Sequence, residues 1–108
     1  MGPHAELSQL LLKIEAEMRA WSLWTATPPA DSALQSVQPF CIDTLDFWQW
    51  VQWIMVPRFR QLIEQQQPLP LGSNMAPMAE EAIGGGNIKS SKLTEYFNAI
   101  DRLLTPRH

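Results

Sequence analysis

The chain has 108 residues, of which 45% are hydrophobic, the size of one domain with one core and too apolar for a disordered segment. Its formal charge is −3 and its eight basic residues are scattered, which argues against a stand-alone nucleic-acid binder built on clustered Lys and Arg. A single cysteine, Cys41, excludes an internal disulfide and fits a reducing compartment.

Residues 5–21 carry Glu6, Lys13, Glu15, Glu17 and Arg19, so they cannot serve as the apolar region of an export signal. The most apolar run, Leu45 to Val56, is about 12 residues long, against about 20 for a bilayer span. A soluble cytoplasmic protein is expected. Nine prolines divide the chain into pieces, and five tryptophans must fill a core or mark a covered surface.

The first predicted helix covers 5–22. Leu7, Leu10, Leu11, Ile14, Met18 and Trp21 recur at spacings of three and four, and only Leu12 strays to the opposite side. Pro28-Pro29 forbids its continuation. Residues 22–42 then lack periodicity, and a connection of this length inside a small domain is usually functional or disordered. Leu34, Val37 and Phe40 give it apolar weight, so it reads as an ordered strap over the bundle.

The second predicted helix covers 43–67, capped by Asp43 or Thr44, with Asp46 in its first turn. Pro57 lies inside it and should kink it at a cost of roughly 3 kcal/mol. A third helix is predicted at 74–83, capped by Asn74 and ended by Gly84-Gly85-Gly86. The fourth, 90–104, has the clearest stripe: Leu93, Tyr96, Phe97, Ile100, Leu103 and Leu104, with Asn98, Asp101 and Arg102 pointing away and Ser90 or Ser91 as cap. No strand alternation is present. The fold class expected is an all-α, four-helix bundle-like single domain, 1–108, with a long ordered loop between its first two helices.

The middle of the chain carries Gln38-Pro39-Phe40, Asp43-Thr44, Trp50, Gln52-Trp53, Pro57-Arg58, Gln67-Pro68-Leu69-Pro70, Ala76-Pro77 and Glu80. In that order and spacing they closely resemble the YqcC-like family of small bacterial proteins. The likeness is strong over about residues 35–83 and rests on pattern alone in the flanking helices. It implies a four-helix bundle in Gram-negative bacteria, and it implies no activity. Members are sometimes labelled after a tRNA pseudouridine synthase, but such an enzyme needs a larger mixed α/β domain with a catalytic aspartate. The resemblance therefore implies a label taken from a neighbour.

No catalytic constellation is evident. His4 and His108 sit at the chain ends, where disorder is expected, and Cys41 follows Phe40 in an apolar setting that suits an inert thiol. Asp43 and Asp46 stand one turn apart, yet a helix N-terminus favours their ionised forms, the wrong direction for a general acid. There is no ligand spacing for zinc or calcium and no phosphate loop after the glycine run, so no cofactor is expected.

The second helix carries the candidate binding residues. On a regular helical wheel Phe47, Val51, Ile54 and Leu62 share a face that Leu45, Trp48, Met55 and Phe59 widen. Asp46, Gln49, Gln52 and Arg60 form a polar stripe. Trp53 and Val56 fall on that stripe beside Gln49 and Gln52, which reads either as cover by the strap or as an exposed contact patch. Arg58 falls on the apolar face, which reads as a partly buried guanidinium paired with Glu80 or, failing that, as an anchor for an anionic ligand. The expected role is a non-catalytic binding or accessory module, linked to tRNA modification through a protein partner. The alternative is a small-molecule-binding bundle anchored by Arg58. With no basic stripe, the isolated chain should bind tRNA no better than roughly 10⁻⁴–10⁻⁶ M, the range of non-specific association. A filter-binding titration across salt concentrations checks this, and tight salt-resistant retention would revive a direct RNA role.

Overall fold

The computed structural model describes residues 2–35, 45–70, 74–85, 88 and 90–105. Every regular element among them is helical: α1 (Pro3–Ala20), α2 (Asp31–Leu34), α3 (Phe47–Trp50), a π-helical segment (Val51–Met55), α4 (Val56–Glu64), α5 (Ala76–Gly84) and α6 (Ser91–Leu103). The chain is all-α and bundle-like, as its periodicity predicts. One turn, α2, is an addition, set within the connection read above as an ordered strap without a helix of its own. Val37 and Phe40 of that strap, Cys41, and the expected caps Asp43 and Thr44 lie outside the described residues.

Helix α1 begins with Pro3 in its first turn, where a missing N–H costs nothing. It buries Leu7, Leu11, Ile14 and Met18, while Leu12 is 60% exposed, the stray that the wheel singles out. His4 does not hang free: its Nε2 lies 2.7 Å from the Gln67 carbonyl, tying the start of α1 to the end of α4. Helix α1 stops well before Pro28. Ser22 adopts φ 60°, its N–H meets the Arg19 carbonyl at 3.1 Å, and the Leu23 N–H returns to the Met18 carbonyl at 2.8 Å. This left-handed closure satisfies the last carbonyls, and Leu23 packs beside the core. The end of α4 repeats it with Gln66 at φ 50°, so the helix closes one turn before Pro68 rather than against it.

The central helix opens at Phe47 with Asp46 as its cap. Asp46 Oδ1 accepts the Gln49 N–H at 2.8 Å, and Gln49 Oε1 accepts the Asp46 N–H at 3.0 Å. This capping box fixes the entry and places Asp46 one position outside the helix instead of in its first turn.

Pro57 is accommodated by a wider turn just before it. Val51–Met55 adopts the π pattern, with the Val56 N–H reaching the Val51 carbonyl. Pro57 then falls in the first turn of α4, where its ring no longer drives into the carbonyl four residues back. One extra residue in a turn rotates everything after it by about 100° relative to a regular wheel. That rotation overturns two assignments. Val56, expected on the polar stripe, is 2% exposed in the core; Arg58, expected on the apolar face, is exposed to solvent.

Helix α5 has no cap on its own side. Its N-cap position is Met75 rather than the expected Asn74, and the Met75 side chain makes no capping hydrogen bond. The cap comes from α6 instead: Asp101 accepts the Met75 N–H at 2.9 Å and the Ala76 N–H at 2.7 Å. Asp101, predicted to point away, is therefore turned inward by the two donors it satisfies. Ser90 caps α6 through the Leu93 N–H at 3.2 Å.

Helix α1 packs on α6 and α4, and α5 packs on α6 and α3. Their shared core joins Leu7, Leu11, Ile14 and Met18 to Val51, Met55, Val56, Phe59, Phe97 and Ile100. At one end Phe47 meets Trp48 and Phe97 edge-on, with centroids 5.1 Å and 5.3 Å away, the favoured aromatic geometry. Asp101→Ala, which strands the Met75 and Ala76 donors, should cost about 1–3 kcal/mol in a urea melt. Asn74→Ala should change stability by no more than about 0.5 kcal/mol.

Candidate functional site

The strap is fastened to the π-helical segment by a side chain that behaves like a peptide group. Gln52, 6% exposed, accepts the Thr25 N–H at Oε1 at 2.9 Å and donates from Nε2 to the Thr25 carbonyl at 2.6 Å. The Thr25 hydroxyl lies 3.2 Å from the same Oε1, and Trp53 Nε1 donates to it at 3.3 Å. The i→i+5 turn that removes Arg58 from the core thus carries the glutamine that holds residue 25.

The sequence-predicted residues consequently divide. Trp53 is half-buried and meets the strap, whereas Gln52 and Val56 are buried, so they cannot form an exposed contact patch with it. Gln49 is spent on the capping box. Arg58 and Glu80 are both exposed, and no ion pair joins them among the described residues, where the pairs are Glu15 with Arg19 at 3.1 Å and with Arg60 at 3.0 Å. The buried Arg58–Glu80 pair is overturned because the rotated helix gives the guanidinium to water, which removes any need for a partner. The ligand anchor loses its footing for the same reason.

Beside the strap lies the end of α1. The Arg19 guanidinium stands 5.2 Å from the Trp24 ring centroid, within cation–π range. Trp21, 36% exposed, donates to Glu17 Oε2 at 3.1 Å, and the Ser90 hydroxyl donates to the same oxygen. The Ser90 hydrogen bond holds the Glu17 carboxyl below its ordinary value, against a smaller opposing effect of burial; Trp21 and Lys92 act in the same direction as Ser90.

A groove opens at the other end of the central helix. Leu45, Asp46, Phe47 and Trp48 face Met78, Glu81, Ala82 and Gly85 of the α5 end across about 530 Å³, with Ile88 at its edge. The sequence marks Phe47, Trp48, Met78 and Ala82 as apolar but not that two apolar sides meet with space between them. Two more polar grooves flank α6, one with Lys13, Glu95 and Arg102 and one with Glu80, Asp101 and Arg102. Arg58 lines none of the three. No group of three or more His, Cys, Asp or Glu suited to a metal ion occurs among the described residues, and no helix there is long and apolar enough to cross a membrane.

A family profile described as tRNA pseudouridine synthase C matches residues 6–103, and this fold matches the solution structure of protein YqcC from E. coli with a TM-score of 0.82, 29% identity, and coverage of 96% of this chain and 89% of that one. The chain belongs to the YqcC-like family. An uncharacterized protein of Haemophilus influenzae is 34% identical over 94% of this chain and 85% of its own length. The YqcC-like sequence also occurs inside a longer chain: a tRNA pseudouridine synthase C of Pectobacterium carotovorum is 33% identical over 65% of this chain, a stretch that makes up 19% of that protein.

Gln52→Ala should cost about 1–3 kcal/mol, since it leaves the Thr25 peptide donor and acceptor without partners, and should raise Thr25 amide exchange measured by NMR. A second expectation concerns acid. Because the Glu17 value is lowered in the fold, its stabilisation is complete above its ordinary value of 4.5 and is lost as pH falls through the lowered value. Thermal melts of wild type and Ser90→Ala should therefore differ most near neutrality and converge in acid, leaving only the capping loss.

Proposed function

We propose that this chain is a non-catalytic accessory module that works in tRNA modification by binding a pseudouridine synthase. One observation carries the reading. In the Pectobacterium protein a YqcC-like segment occupies 19% of a chain named tRNA pseudouridine synthase C. Two activities joined in one polypeptide are held at high effective concentration, and separate chains serving the same task need an interface to replace that tether. The described residues support a binding role better than a chemical one. They hold exposed or half-exposed Trp21, Trp24 and Trp53 and an apolar groove, while their carboxylates are engaged in capping and ion pairs or open to solvent.

The net charge of −3 and the scattered basic residues fit a module that contacts the protein rather than the tRNA, since RNA binding draws on clustered Lys and Arg. The test is a titration of this chain, by calorimetry and size-exclusion chromatography, against purified tRNA pseudouridine synthase C from the same genome. A one-to-one complex with a dissociation constant in roughly the micromolar range or tighter is expected, with altered turnover on tRNA. Two proteins that elute apart at the highest concentrations, with unchanged turnover, would reject the reading.

A further inference from the structure

We draw no further inference here: the strongest candidate, the apolar groove between the start of α3 and the end of α5, borders chain outside the described residues, and nothing in the structure shows what covers it.

Discussion

The wide turn at Val51–Met55 is the constraint on which the rest of this structure depends. A proline in the interior of a regular helix would cost roughly 3 kcal/mol through a lost hydrogen bond and a clash with the preceding turn. The chain resolves this by inserting one residue into that turn, so that Pro57 falls where a helix tolerates it. The remainder of the helix is rotated as a unit, and its faces follow. Phe59 and Val56 enter the core, Arg60 reaches Glu15 of α1, and Gln52 is brought beneath the strap. The surface ion pair adds little in itself; the burial of apolar side chains, at roughly 1.5–3 kcal/mol each, holds the helices together.

This turn also marks where the sequence was legible and where it was not. Stripes that a regular wheel assigns without competition, such as Leu7-Leu11-Ile14-Met18 and Leu93-Phe97-Ile100, lie in the core as expected. Both precede or avoid the irregularity. For Val56 and Arg58 the same arithmetic failed because it presumes a constant angle per residue, and nothing in the local composition announces an i→i+5 hydrogen bond. Capping failed in a different way. Ser90 caps the residues that follow it and was readable, whereas the donors of α5 are satisfied by Asp101, a residue from another helix. Local rules see only local partners. The candidate surface fared likewise: Trp53 meets the strap at Thr25, one of the two readings its place on the wheel left open, but the groove exists only because α3 and α5 are neighbours in space.

Several carboxylates of the described residues hold structural elements in place. Asp46 caps a helix, Asp101 caps another from a distance, Glu17 binds two side-chain donors, and Glu15 bridges two arginines. For Glu17 the Ser90 hydrogen bond also favours the ionised form, the opposite of what a general acid near neutral pH requires.

The borrowed cap of α5 makes that helix dependent on α6. A helix of nine residues is well below the roughly 12–15 at which isolated helices become stable in water. The carboxylate that closes its first turn lies 25 to 26 positions later in the chain. The native first turn of α5 is therefore complete only when α6 is in place. The wall that α5 contributes to the groove thus depends on a side chain from another helix, and loosening the contact between α5 and α6 loosens that wall with it.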